Sequence, residues 1–207
     1  MPKANITALD PVSNDAAATI DLSQPYMAEI IVQGTAPFLF HRWSVEGVDA
    51  KSKAAKGSKA KKQDDLESYV YRNSAGDLCI PSEYFRMSII NAAKFRQDPR
   101  SPRKSAMDLF KAAIATLEPY CSLGYPNWHY VDQRRVMVQR NGITRCRPAI
   151  EVGWKVSVPL LVLLPEYVPP SMLNEVAQSA GRLIGVGDNR PSYGRFAVTN
   201  FSVIAEG

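Results

Sequence analysis

The order of predicted elements along this chain indicates an α+β fold, in which an antiparallel sheet is covered by helices on one face. Short β-rich runs bounded by turn residues predict strands, and segments with apolar residues at helical spacing predict helices. A length of 207 residues with 45% hydrophobic residues suits one domain with a sizeable core. The predicted order is strand, hairpin, helix, short helix, hairpin, strand, helix and strand.

The first half of the chain predicts one strand, one hairpin and two helices. Met27–Trp43 is β-rich and is expected to kink between Gly34 and Pro37. The hairpin joins the runs Glu67–Arg72 and Asp77–Ile80. The first helix runs from Ser82 to about Phe95, and the second spans Ala106–Leu117. Ser82 is a residue type favoured at helix N-caps and is expected to cap the first helix.

The second half predicts another hairpin, then a strand, a helix and a strand. The hairpin spans Tyr130–Glu151, and Asn141 and Gly142 are expected to form its turn. The later elements are a core strand over Gly153–Leu164, a helix that starts at Pro169–Pro170 and buries Leu173, Val176, Ala177, Ala180 and Leu183, and a last strand over Phe196–Ile204. This order fits the ferredoxin-like or RRM-like architecture, with insertions.

Domain boundaries follow from composition. Residues 1–24 are expected to form a flexible tail, and residues 25–207 a single RRM-like domain with a Lys-rich insert at about 45–66. We expect a cytoplasmic protein, since no run approaches the ~18 apolar residues of a membrane span and no secretory signal is recognisable. Cys79, Cys121 and Cys146 lack the C-x-x-C spacing of zinc or redox sites, so no metal or other cofactor is expected.

The net charge of +5 is concentrated in three basic segments. Six lysines without an acidic neighbour form the first, at Lys51, Lys53, Lys56, Lys59, Lys61 and Lys62, and predict a mobile cationic arm. The second comprises Lys94, Arg96, Arg100, Arg103 and Lys104, and the third Arg134, Arg135, Arg140, Arg145 and Arg147. Five aromatic residues lie close in sequence to basic residues, namely Tyr69, Tyr71, Trp128, Tyr130 and Tyr193. Clustered cations with nearby aromatic rings are typical of single-strand binding, so we expect these segments to converge on one groove. The alternative is that each is only a solvated surface.

A glycine-rich loop separates the last helix from the last strand. It contains Gly185, Gly187 and Gly194 together with the side chains Arg190, Tyr193 and Arg195. Glycine lets a phosphate approach the backbone closely, so the loop is a candidate cradle for a nucleic-acid backbone. The alternative is a tight helix-to-strand connection. Its spacing fits neither the Rossmann fingerprint nor the P-loop.

Three stretches of the sequence are informative when taken together: the glycine loop GRLIGVGDNRPSYGRF, the hairpin-to-helix entry GDLCIPSEYFRMSI (Gly76–Ile89) and the strand end APFLFHRW (Ala36–Trp43). Together they resemble the RAMP superfamily, and within it the subunits that polymerise along a CRISPR guide RNA and their solitary relatives in phages and mobile elements. The resemblance implies a palm-like RRM fold, a thumb-like insert at Val45–Leu66, and binding of one strand across many subunits or with CRISPR-type protein partners.

The resulting expectation is a non-catalytic protein that binds single-stranded RNA or DNA. Two alternatives remain open. Some RAMP-like proteins cut RNA without metal, and here His41 beside Arg42 is the candidate general acid or base. The second alternative is an interaction protein that joins or blocks a CRISPR or phage assembly through its basic face.

Overall fold

The structure, a computed structural model, describes residues 23–43, 65–138 and 141–204; for residues 136–138 and 141–143 only the backbone is described. Most of the predicted tail at 1–24 and most of the Lys-rich insert at 45–66, all six lysines included, lie outside these residues. The proposed domain boundaries therefore stay predictions.

The main sheet has four antiparallel strands in the order β12-β1-β11-β7. Its strands are β1 (Tyr26–Gly34), β7 (Ile114–Thr116), β11 (Lys155–Val162) and β12 (Phe196–Ile204). Two helices lie between β1 and β7 in sequence and a third lies between β11 and β12. With the second helix counted as an addition to the first, this is the β-α-β-β-α-β connectivity of the ferredoxin-like fold. The predicted fold class is confirmed.

Three helices in the described part of the chain cover one face of this sheet. They are α1 (Ser82–Ala92), α2 (Met107–Ala113) and α3 (Pro170–Leu183). Alternate residues of β1 and β11 point toward them and are buried, namely Ala28, Ile30, Val32, Val156, Val158, Leu160 and Val162. Burying each large aliphatic side chain contributes roughly 1.5–3 kcal/mol, so this layer holds the domain together.

The remaining strands form small sheets around this core. The first joins β2 (Phe38–Leu39), β10 (Asn141–Ile150) and β9 (Tyr130–Val138) in the order β2-β10-β9, and the second joins β3 (Tyr71–Arg72), β4 (Leu78–Pro81) and β8 (Tyr120–Ser122) in the order β3-β4-β8. A two-stranded ribbon consists of β5 (Gln97–Asp98) and β6 (Ser101–Ser105). Short 3₁₀ turns lie at Glu67–Tyr69 and Ala93–Phe95.

Five local predictions are wrong. The strand predicted over Glu67–Arg72 is a strand only at Tyr71–Arg72, because Glu67–Tyr69 form a 3₁₀ turn. Ser82 is the first residue of α1 and not its N-cap, and it is buried with Oγ 3.2 Å from Cys121 Sγ. The helix predicted over Ala106–Leu117 ends at Ala113, because the next three residues pair with β11 as an edge strand. Asn141 and Gly142 do not form the hairpin turn; they already pair with Val138 and Met137 inside β10. Leu183, at the end of α3, is 43% exposed.

Candidate nucleic-acid interface

The open face of the main sheet is not an aromatic platform. On β1 and β11 the side chains that point away from the helices belong to Met27, Glu29, Ile31, Gln33, Lys155, Ser157, Pro159 and Leu161. These residues include no aromatic ring and a single cation. RRM proteins stack RNA bases on aromatic residues of this face. A binding surface in this protein has to be sought elsewhere.

Main-chain hydrogen bonds join the glycine loop to β2 and to the three residues that precede β2. The Asp188 amide donates to the Leu39 carbonyl at 3.3 Å, and the Gly194 amide donates to the Pro37 carbonyl at 2.8 Å. The amides of Thr35 and Ala36 in turn donate to the Arg195 carbonyl. The loop is therefore held against the strand end that carries His41 and Arg42.

Two glycines of the loop are required by close packing. A Cβ on Gly194 would lie 1.7 Å from the Val186 carbonyl oxygen, and a Cβ on Gly187 would lie 2.5 Å from the Phe38 ring. Gly194 has φ of +69° and Gly187 has φ of +77°, a region that favours glycine. The Gly185 amide donates to the Ala180 carbonyl at the end of α3, so it is used within the fold and not offered to a phosphate.

A buried ion pair joins the loop to the β9–β10 hairpin. Arg147 on β10 is 3% exposed, and its Nε faces the carboxylate of Asp188 in the loop. Burial lowers the pKa of Arg147, while the charge of Asp188 acts in the opposite direction. Tyr69 and Asp132 are also within electrostatic range of this guanidinium. The pair therefore lies between two groups of aromatic and basic side chains.

The first group is formed by Arg134 on β9 and Tyr193 in the loop. The guanidinium carbon of Arg134 lies 4.5 Å from the centre of the Tyr193 ring, and Nη2 donates to the tyrosine hydroxyl at 2.5 Å. Arg134 also bonds the carboxylate of Asp132. These two hydrogen bonds hold the pKa of Arg134 above its ordinary value, with that of Asp132 the stronger. Arg134 and Tyr193 therefore form a half-buried pair whose side chains are held in place by hydrogen bonds.

The second group surrounds Tyr71 on β3. Arg42 lies over its ring with Cζ 5.6 Å from the centroid, and the rings of Tyr120 and Tyr84 lie 5.7 and 6.2 Å away. The hydroxyls of Tyr71 and Tyr84 are hydrogen-bonded at 3.2 Å. Burial raises the pKa of Tyr84, as does the bond to Tyr71, whereas the nearby charge of Arg190 lowers it. Arg190 thus adds a second cation beside this group.

We call the surface that these residues form the glycine-loop face. It comprises His41, Arg42, Tyr69, Tyr71, Tyr84, Tyr120, Arg134, Arg190 and Tyr193 around the ion pair of Arg147 and Asp188. His41 is exposed and its ring stacks on Tyr69 with centroids 5.5 Å apart. The Lys-rich segment begins in sequence just after Arg42 of this face, and the described chain ends at Trp43 and resumes at Asp65.

Two predicted site residues lie apart from this grouping. Arg135 follows Arg134 on a strand, so it points to the opposite side of the hairpin, as does its cross-strand neighbour Thr144. Arg195 lines an open cavity of about 430 Å³ between α3 and β12, together with Arg182 and Gln178. The lysines from Lys51 to Lys62 lie outside the described residues.

The second basic segment is at the other end of α1. Arg100 pairs with the buried carboxylate of Asp98 on the β5–β6 ribbon, and Arg96 pairs with Glu175 of α3. Tyr84 lies in the first turn of α1, and this segment begins with Lys94, just after the last residue of the helix. At 1.5 Å per residue, about 15 Å separates Tyr84 from Lys94 along the helix axis. This segment therefore lies apart from the glycine-loop face, and convergence of all three basic segments on one groove stays a prediction.

Sequence reasoning missed four members of this face as site residues. Arg147 appeared only as part of a basic run, and Asp188, Tyr84 and Tyr120 were not singled out as binding residues. Tyr120 on β8 pairs with Pro81, the residue just before α1. This pairing brings Tyr120 close to Tyr84 in the first turn of α1. In the described part of the chain no three His, Cys, Asp or Glu side chains are arranged to hold a metal ion.

These features define an α+β protein with a ferredoxin-like core and an aromatic and basic face at its glycine loop. Comparison with solved structures finds a similar chain in a cryo-EM structure of the type III-B Cmr-beta bound to cognate target RNA, with a TM-score of 0.52 and 9% sequence identity. The match covers 88% of this chain and 61% of that one. No protein-family model and no curated protein sequence matches. The likeness supports the fold.

None of the helices in the described residues has the length and apolarity needed to span a bilayer.

Proposed function

We propose that this protein binds single-stranded nucleic acid, with RNA as the expected ligand, along the glycine-loop face. The observation that carries the proposal is the alternation of arginines and tyrosine rings on that face, with Arg42 beside Tyr71 and Arg134 beside Tyr193. Guanidinium groups attract phosphates, and tyrosine rings offer faces on which unpaired bases stack. The fold shared with a chain of an RNA-bound CRISPR complex supports the same assignment.

We further propose that the protein acts as a subunit of a CRISPR-type ribonucleoprotein or of a related phage assembly, in contact with neighbouring copies or other subunits. The sequence has six lysines between Trp43 and Asp65, and in this proposal they add phosphate contacts to those of the glycine-loop face. In this proposal the protein holds RNA without cutting it. His41 stacks on Tyr69 and serves in this proposal as an RNA-contact residue. Its use as a general acid or base is the competing proposal.

The test is a titration of fluorescently labelled single-stranded RNA with the purified protein at several salt concentrations. We expect the logarithm of the association constant to fall linearly with the logarithm of salt concentration. A slope of about −0.7 for each phosphate contacted is typical of single strands, so four contacts would give about −3. Duplex RNA of the same sequence should bind more weakly, because its bases are already stacked on each other.

Three results would contradict this function. An affinity that does not change with salt would exclude phosphate contacts as its source. Cleavage of the RNA in a magnesium-free buffer that disappears in His41→Ala would show that the protein is a ribonuclease and not only a binding protein. If a protein partner binds through the glycine-loop face and RNA does not bind at all, the basic face serves an assembly and not a strand.

A further inference from the structure

The tyrosines around Tyr71 are placed differently from the other large aromatic residues of the core. Phe38, Phe40, Phe85 and Phe110 are all less than 2% exposed and fill the interior. Tyr120, in contrast, is 41% exposed, and Tyr71 and Tyr84 are half-buried. Three rings from three different elements, β3, α1 and β8, meet at the surface beside Arg42.

This cluster is held in place before any ligand arrives. Tyr71 is fixed by the pairing of β3 with β4 and by the hydroxyl bond to Tyr84. Tyr120 is fixed by the pairing of β8 with β4, opposite Pro81. A rigid aromatic surface loses little conformational entropy when a planar group stacks on it, which favours binding.

We propose that this cluster is a nucleobase subsite, in which an unpaired base stacks on Tyr120 and the adjoining phosphate contacts Arg42. The inference rests on the proposed function and names the part of the strand that each residue contacts. Tyr71 and Tyr84 act as positioning residues, because their linked hydroxyls and their ring contacts support Tyr120 and place Arg42. Every base has a π-face, so the subsite accepts any base in a single strand.

The structure provides a matched control at the far end of α1. Tyr167 is 39% exposed, and the guanidinium carbon of Arg100 lies 5.6 Å from the centre of its ring. This is the same distance as that between Arg42 and Tyr71. Tyr167 therefore reproduces an exposed tyrosine beside an arginine, but outside the glycine-loop face.

The experiment compares two ligands of equal length and charge, a single-stranded oligonucleotide and its fully abasic counterpart, by fluorescence anisotropy. The parent protein is expected to bind the base-bearing strand at least about fivefold more tightly, the lower end of what one stacked base contributes. Tyr120→Leu should lose this preference and keep its affinity for the abasic strand. Tyr120→Phe and Tyr167→Leu should retain the preference, and thermal unfolding will show that each variant is folded.

The outcomes distinguish a failure of the base subsite at Tyr120 from a failure of the proposed single-strand binding. If the parent binds both ligands equally well, the phosphates are contacted but the base subsite does not exist. If Tyr120→Leu keeps the preference of the parent, a base stacks elsewhere and the inference is overturned. If Tyr120→Leu does not fold, Tyr120→Phe is the deciding variant. Loss of its preference for the base-bearing strand would show that the ring of residue 120 is not enough to hold the base, and would overturn the inference. If the parent binds neither strand, the proposed function itself fails.

Discussion

Replacing Arg42 and Arg190 together by alanine should lower the affinity for single-stranded RNA by about tenfold or more. Both side chains are exposed and flank the tyrosines of the glycine-loop face, so the change removes two phosphate partners without opening the core. Tenfold corresponds to about 1.4 kcal/mol, a modest loss for two charged contacts. The salt dependence should also become shallower, by about 0.7 for each phosphate that the variant no longer neutralises.

The control for this variant removes the same charge from the β5–β6 ribbon. Arg103 and Lys104 are exposed on β6, at the opposite end of α1 from Tyr84. Their distance from the glycine-loop face exceeds the Debye length of about 8 Å at physiological salt, so Arg103→Ala with Lys104→Ala should change affinity less than twofold. Equal losses in the two double variants would mean that RNA senses only the overall charge of the protein.

Asp188→Ala should destabilise the protein by about 3 kcal/mol, the largest effect on stability that we expect from a single polar residue of this face. The substitution leaves the guanidinium of Arg147 buried without its partner, and an uncompensated buried charge is strongly unfavourable. Because the pair ties the glycine loop to the β9–β10 hairpin, RNA affinity should fall as well. Urea unfolding measures the first effect and anisotropy the second.

A second variant shows whether the charge is the cause. Asp188→Ala combined with Arg147→Met removes both charges and keeps an apolar side chain of similar length, so most of the lost stability should return. Glu166→Ala, at an exposed carboxylate outside this face, should change stability by less than about 0.5 kcal/mol. If Asp188→Ala resembles Glu166→Ala, the ion pair does not hold the loop.

Much of the fold could be predicted because local patterns and the overall architecture agree. β12 has the bounds expected from the sequence, and β1, β11 and α3 begin within two residues of the predicted positions. The failures are local. The Asn141–Gly142 pair is a strong turn signal, but the register with β9 places both residues inside β10. The end of α2 was missed because Ile114 is required at the edge of the main sheet, where β11 offers a partner.

Prediction of the site was less complete for a physical reason. The glycine loop, His41, Arg42 and Arg134 are recognisable from local composition alone. The contact between Arg147 and Asp188 joins residues distant in sequence, and it depends on the strand register that brings β10 to the loop. The same holds for Tyr120, whose place beside Tyr71 is set by β8 pairing with β4.

Ultraviolet cross-linking of single-stranded RNA to the parent protein, with the attached residues located by mass spectrometry, will show which surface of the protein the strand contacts. Aromatic side chains that stack on bases are the ones expected to cross-link. We expect attachment in peptides that contain Tyr71, Tyr120 or Tyr193. Cross-links confined to Phe95 and Tyr167, both exposed at the far end of α1, would place the RNA elsewhere and contradict the glycine-loop face as its binding surface.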